Sequence, residues 1–320
     1  MSRFLVALPI LFLLASCGDS GGIDAGLLHA FAPLPGVMAS ADNPATPAKV
    51  ALGRRLYHDP RLSQSGTISC ATCHPLDNYG VDGKPVSTGH NGAKGDRNSP
   101  TVFNAAGHIA QFWDGRAATV EEQAGGPILN PIEMAMPSSE AVEGVLQADA
   151  AYRAAFAGAF PDAAAPVTFD NTCRAIGAFE RTLVTPSRWD DYLNGNQAAL
   201  TPGEKAGFLK FTDTGCMTCH RGPYVGGQMY SRLGIVKGWP DKSDLGRYRV
   251  THHDRDRLLF KVPGLRNVEK TAPYLHNGSV ATLEETVRLM GQYQLGKQLD
   301  DAEIASIVTW LKTLTGKPAS

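Results

Sequence analysis

The sequence has 320 residues, 43% of them apolar, with 30 basic side chains against 31 acidic ones and a formal net charge of -1. That length is a prior for two domains, and the apolar share is enough to bury a sizeable core. The near-neutral balance argues against a nucleic-acid partner, because a phosphate-binding surface needs a basic excess.

The chain opens on Arg3 and an apolar run from Phe4 to Ala15. This run is too short to span a bilayer and fits the core of a signal peptide. It ends in Leu14-Ala15-Ser16-Cys17, which looks like the lipobox of bacterial lipoproteins. That likeness implies cleavage before Cys17 and a lipid anchor on its thiol, holding the protein on a membrane face without spanning it. The other reading is an ordinary secretory signal with a Cys at its cleavage site. Residues 1–17 are thus predicted to be a lipoprotein-type signal peptide. Residues 18–40, rich in Gly, Ala and Pro, are read as a tether or an extended arm.

Thr46-Pro47 then gives a helix N-cap followed by proline at the first helical position, with Val50, Leu52, Leu56 and Tyr57 at helical spacing. This helix delivers the chain to Cys70-Ala71-Thr72-Cys73-His74. The pattern recurs: Thr201-Pro202, with Glu204 completing a capping box, leads through Phe208, Leu209 and Phe211 to Cys216-Met217-Thr218-Cys219-His220. The repetition predicts two related domains, 41–184 and 185–320, joined near Val184 to Trp189. Asp300 and Glu303 cap a closing helix with Ile304, Ile307, Val308 and Leu311 on one face, stopped by Gly316 and Pro318. Residues 75–112 and 221–268 are rich in Gly, Pro, Asn and Asp with little periodicity, and long irregular segments usually wrap around something.

C-x-x-C-H is the attachment signature of c-type haem, in which two thiols bond the porphyrin and the adjacent His binds iron. Zinc would need a second ligand pair matched to each motif, and none is visible. Two covalent haems are therefore predicted, on Cys70, Cys73 and His74 and on Cys216, Cys219 and His220. Six cysteines in an exported chain would first suggest disulfides, but Cys17 and the motifs leave only Cys173. It lies in a helical apolar pattern with Phe169, Ile176, Phe179 and Leu183 and reads as a buried apolar residue.

The sixth iron ligand decides what each haem does, since a Met raises the potential and an open position admits oxygen chemistry. Met290, well downstream of His220 and before the closing helix, is favoured for the second haem over a plain core Met. No Met is as well placed for the first. His90, in a Gly-rich loop, is a candidate that can leave, against the blander reading of a solvated loop His.

From Tyr79 onward the runs STGHNGAKGDRNSPTVFN, QFWDGRA, EEQAGGP and NPIEM resemble the bacterial di-haem cytochrome c peroxidases. So do GCMTCHRG, TAPYLHNGS, LMGQYQLG and IVTWLKTLTG in the second half. The resemblance covers nearly everything after residue 45. It implies a mainly α protein of two cytochrome c-like haem domains with long irregular loops. It implies that His74 is the proximal ligand of a peroxidatic haem and that His90 is a distal ligand that departs on activation. His220 and Met290 would ligate an electron-transferring haem, with His276 near its edge. Gln123 and Glu133 would sit in the peroxide pocket, Glu133 as the proton carrier, with Trp113 on the electron route between haems. Asn98, Thr271 and Pro273 would bind one calcium ion. The expected activity is reduction of hydrogen peroxide to water with electrons from a small cytochrome c or copper protein in the periplasm, by a homodimer. Two alternatives remain open at this point. One is the protein-oxidising branch of the same superfamily, where a Tyr replaces the distal Met; here Met290 holds that position and Tyr293 is close by. The other is a non-enzymatic di-haem electron carrier, which needs neither the Gln123/Glu133 pair nor a displaceable His90.

Overall fold

The computed structural model describes residues 22–317, so the predicted signal peptide and Cys17 lie outside the described residues. A single turn, α1 (Ala25–Leu28), comes first. α2 (Pro47–Tyr57) starts as predicted, with the Thr46 hydroxyl accepting from the Lys49 backbone N–H and Pro47 in the first turn, where its missing donor costs nothing. It leads to α3 (Cys70–Cys73), the turn of the first motif, opened by a Ser69/Thr72 capping box. α4 (Val120–Leu129), α5 (Ser139–Ala148), α6 (Ala150–Ala159) and α7 (Phe169–Glu180) complete the first half. Their apolar faces form one core, in which Leu56, Tyr57, Ile128, Val142, Leu146, Tyr152, Phe156 and Ile176 are fully buried. Each such side chain contributes about 1.5–3 kcal/mol relative to exposure. Cys173 is free and buried in this core, as its helical spacing predicts.

The second half has its own core. α8 (Arg188–Leu193), α9 (Pro202–Thr214), the short α10 (Tyr248–Thr251), α11 (Leu283–Gln294) and α12 (Asp301–Leu311) follow in order. The Thr201/Glu204 and Asp300/Glu303 capping boxes both form. Trp189, Phe208, Phe211 and Trp310 make an aromatic centre, with Trp189 and Trp310 edge to face at 5.4 Å and Phe211 4.5 Å from Trp310. At the join, the Thr185 hydroxyl accepts from Asn104 of the first half and Asn267 of the second, each at 2.8 Å.

The repetition seen in the sequence has a packing counterpart. In each half the helix leading to the haem motif crosses a later helix at a glycine. A Cβ on Gly53 of α2 would stand 1.9 Å from the Ala175 carbonyl oxygen of α7, and one on Gly207 of α9 would stand 2.2 Å from that of Ser306 on α12. Gly207→Ala therefore forces α9 and α12 apart and is expected to cost about 1–3 kcal/mol, read as a lower melting temperature with both haems still attached. A melting temperature equal to that of the parent would mean the crossing is looser than these distances.

Two features differ from the sequence reading. The irregular segments hold a small antiparallel sheet, β1 (Tyr230–Arg232) with β2 (Leu259–Lys261), too short to show a periodicity. The segment read as tether or arm is packed where it is described. Ile23 and Phe31 are buried in the second core, Phe31 lies edge to face with Trp189, Phe208 and Trp310, and the Ile23 N–H donates to the Tyr192 hydroxyl. Met38 packs separately, beside Val184 and Tyr224.

Candidate active site

Each C-x-x-C-H opens onto a cavity, and the two histidines are held alike. Both are half-buried, and His74 Nδ1 meets the Gly80 carbonyl at 3.1 Å while His220 Nδ1 meets the Val225 carbonyl at 3.3 Å. A carbonyl accepts only, so Nδ1 carries the proton and Nε2 is left as the ligand atom. Burial lowers both imidazoles, His220 to about 4, so both are neutral near pH 7. The fixed tautomer and the paired thiols fit haem c. Among the described residues no group of three or more His, Cys, Asp or Glu is arranged to hold a bare metal ion.

The first cavity, about 1300 Å³ counting the solvent at its mouth, is lined by Cys70, Cys73 and His74. It is also lined by Gln123, Glu133 and Trp113, so one chamber brings together the attachment site and all three predicted catalytic residues. Gln123 projects from the middle of α4. Glu133 follows that helix in a tight turn, where the Asn130 carbonyl accepts from the N–H groups of Glu133 and Ala135 and the Pro127 carbonyl accepts from Met134. Burial raises the Glu133 carboxyl above the usual carboxylate range, Asp96 adds to this, and Arg116 and the Asn130 side chain oppose it. Gly89 lets the loop of His90 press onto this turn: a Cβ there would lie 2.1 Å from the Ile132 carbonyl oxygen.

His90 is placed otherwise. Its backbone N–H donates to the Glu133 carbonyl at 2.8 Å, but His90 is not among the residues lining the first cavity, and its buried Nδ1 has no partner.

The second cavity, about 1510 Å³ counted in the same way, is lined by Cys216, Cys219, His220 and Met290. Met290 shares a face of α11 with Leu283, Thr286, Val287 and Gln294, all lining the cavity at helical spacing. Tyr293 is turned elsewhere, 4.8 Å from Trp239 and under the Lys237 ammonium. His276 lines the cavity and stacks on Phe260 at 4.4 Å. Asn98, Thr271 and Pro273 line it too; Asn98 donates its side-chain amide to the Lys84 carbonyl, leaving Oδ1 as an acceptor.

Trp113 and residues 98–101 line both cavities. The indole N–H donates to the Asn98 carbonyl at 2.9 Å, and the Trp113 carbonyl accepts from Lys261 on β2. Beside it a buried ion cluster ties the halves. Arg97 donates to Asp114 at 2.6 Å and to both oxygens of Asp244 at 2.7 and 2.9 Å.

Sequence reasoning missed Arg97, Lys261 and Glu180. Glu180 is the last residue of α7, 4% exposed on the wall of the first cavity, and burial pushes its carboxyl up to about 8, with Glu121 adding and Arg181 opposing. Its only sequence signal is a Glu following Phe179 inside an apolar helical pattern. A carboxyl raised on folding binds its proton more tightly in the native state, so stability is greatest below the unfolded pKa and falls as pH rises toward 8. The loss is on the order of a few kcal/mol across that window. Glu180→Gln is expected to remove most of this slope. Thermal melts from pH 5 to 8.5 check it, and an unchanged slope would place the titration elsewhere.

The family profile described as "Di-haem cytochrome c peroxidase" matches residues 47–198. The cytochrome c551 peroxidase of Pseudomonas aeruginosa is 48% identical over 83% of this chain and 78% of its own length. The chain belongs to the di-haem cytochrome c peroxidase family. Cytochrome c peroxidase Ccp of Escherichia coli K12 is also 48% identical, over 85% of this chain, which spans 59% of that longer protein. Among solved structures, a MauG-like protein associated with microbial copper homeostasis superposes with a TM-score of 0.79 at 32% identity, covering 89% of this chain and 94% of its own. Membership in this family of oxidoreductases implies haem c cofactors and agrees with the mainly helical architecture. No helix among the described residues is long and apolar enough to cross a membrane.

Proposed function

We propose that the protein reduces hydrogen peroxide to water in the periplasm, taking two electrons from a small cytochrome c or copper protein. The reaction consumes one peroxide, two protons and two electrons and releases two waters. The observation that carries this reading is the shared chamber of His74, Gln123 and Glu133. When bound, the haems supply a site for peroxide and storage for electrons. The rest falls to side chains of this chain. Glu133, its proton affinity raised by burial, gives a proton to the departing oxygen and is recharged from solvent. The Gln123 amide orients the peroxide. Trp113 lies between the two cavities on the electron route. Met290, lining the same cavity as His220, suits the electron-entry site, because a thioether ligand favours the reduced iron.

His90 stands outside the chamber lining, and this supports reading the present arrangement as the one with the distal side open. In the resting form His90 would then serve as a second protein ligand of the first haem. Asn98 Oδ1 with the Thr271 and Pro273 carbonyls, on the wall of the second cavity, would hold one calcium, since oxygen ligands and water suit a hard cation. A lipid anchor on Cys17 and a homodimer complete the proposal. The protein-oxidising alternative expects a Tyr in place of the distal Met, but Met290 lines the second cavity and Tyr293 does not.

The test uses the two-haem protein from residue 18 onward with calcium. Oxidation of a reduced cytochrome c by hydrogen peroxide is followed before and after adding one electron per molecule. Activity only after that electron supports both the peroxidase and His90 as the gate. Activity in both states keeps the peroxidase and removes the gate. Inactivity in both, across several cytochrome and copper-protein donors, overturns the reading.

A further inference from the structure

Lys261 closes β2 on the wall of the second cavity and is 8% exposed. Its ammonium has an unusual partner. Nζ lies 3.2 Å from His108 Nδ1, and no carboxylate oxygen among the described residues comes within 4.0 Å of it. Burial lowers the lysine to about 8 and takes His108 well below its ordinary value, so His108 is neutral and Nδ1 accepts from the ammonium. The imidazole is wedged. A Cβ on Gly227 would stand 2.2 Å from its Cδ2, and one on Gly264 would stand 2.8 Å from its Nε2. The ring lies edge to face with Tyr224 at 5.5 Å. The Lys261 N–H is itself tied to the Trp113 carbonyl at 2.8 Å. Lysine and ring are thus fixed between the two halves.

A buried cation without an anion costs several kcal/mol, and a neutral imidazole does not offset that. The charge is still carried near neutral pH, which calls for an anion that the described residues do not provide. The adjoining cavity is the one whose Cys216, Cys219 and His220 hold the second haem, a group that brings two carboxylates of its own. We propose that Lys261, positioned by His108, is the counter-cation of a propionate of the second haem and raises that haem's reduction potential. The inference rests on the second cavity being a haem c site. A fixed positive charge near the iron favours the form with one charge fewer, so the reduced state gains. His108 acts through the lysine as a positioning residue.

The experiment is a spectroelectrochemical titration of the full two-haem protein and of Lys261→Met. We expect the equilibrium constant for reducing the second haem to fall about tenfold, which is ~59 mV for a one-electron couple, while the first haem shifts less. Lys261→Arg is expected to restore most of the loss. The melting temperature of Lys261→Met is expected to fall, because the propionate is left buried without its partner. An unchanged potential together with a higher melting temperature would overturn the proposal, since Met then merely relieves an uncompensated charge. If Lys261→Met does not accumulate, Lys261→Gln keeps a donor without the charge, and the same two readouts decide. Haem content separates the two levels: fewer than two haems per parent chain would sink the haem reading itself, whereas two haems with an unmoved potential would sink only the role of Lys261.

Discussion

Glu133→Gln is expected to keep both haems and lose most peroxide turnover, a fall of about 10²–10⁴-fold if the carboxyl is the general acid. The amide has nearly the volume of the carboxyl, so the turn from Asn130 to Ala135 and the contact with Gly89 survive. What is lost is a transferable proton in a wall where burial has raised its affinity. The interaction is made in the transition state rather than in the bound peroxide complex, so kcat and kcat/KM should fall together. The visible spectra of both haems should match the parent. Near-normal turnover with intact spectra would remove Glu133 from proton transfer and leave it a wall residue.

Arg97→Met is expected to be the most destabilising single change at the join. The guanidinium is 9% exposed and makes bonds to Asp114 and both oxygens of Asp244, themselves 5% and 10% exposed. Arg116 and Arg249 remain at the edge, at 3.1 and 3.3 Å from the two carboxylates, but each is about 42% exposed and compensates only partly. Breaking a buried pair from one side costs about 3–5 kcal/mol, chiefly through the charges left behind. At this chain length that lowers the melting temperature by ~10 °C. Adding Asp244→Asn should recover part of the loss, and a double variant no better than the sum of the two singles would show that Arg97 and Asp244 are not coupled. Arg97 also lines the first cavity, so slower peroxide turnover should accompany the lower melting point.

The parts of the site legible in the sequence were those with a local grammar. Thiol spacing, the adjacent His, helix caps and the apolar stripe of the closing helix are short-range patterns, and each appears where expected. Met290 was readable from its place in the chain, well downstream of His220 and before the closing helix. The buried charges were not. Arg97 and Asp244 are separated by 147 positions, Lys261 and His108 by 153, and nothing near either residue reveals its partner. Glu180 hides for the opposite reason, since it sits in an apolar stripe as if solvent-facing. The segment around Ile23 and Phe31 looks like a linker because two anchoring side chains among many small ones leave no period to detect. His90 marks another limit: the sequence offers it as a candidate displaceable ligand but does not show that it stands outside the lining of the first cavity.

That early segment bears on the order in which the molecule is completed. Phe31 rests on Trp310, so a residue synthesised early finds its place only when one of the last helices exists. Until then its binding surface on Trp189, Phe208 and Trp310 is open, while the core from α2 to α7 has all its own parts in hand. The first half can therefore become native early, and the second must wait for the chain's far end to close the long-range contact of Phe31 with Trp310. Contacts of such high sequence separation slow folding, and an apolar surface left open meanwhile invites association between chains. A chain ending before α12 would carry a finished first half and an N-terminal segment with nowhere to bind.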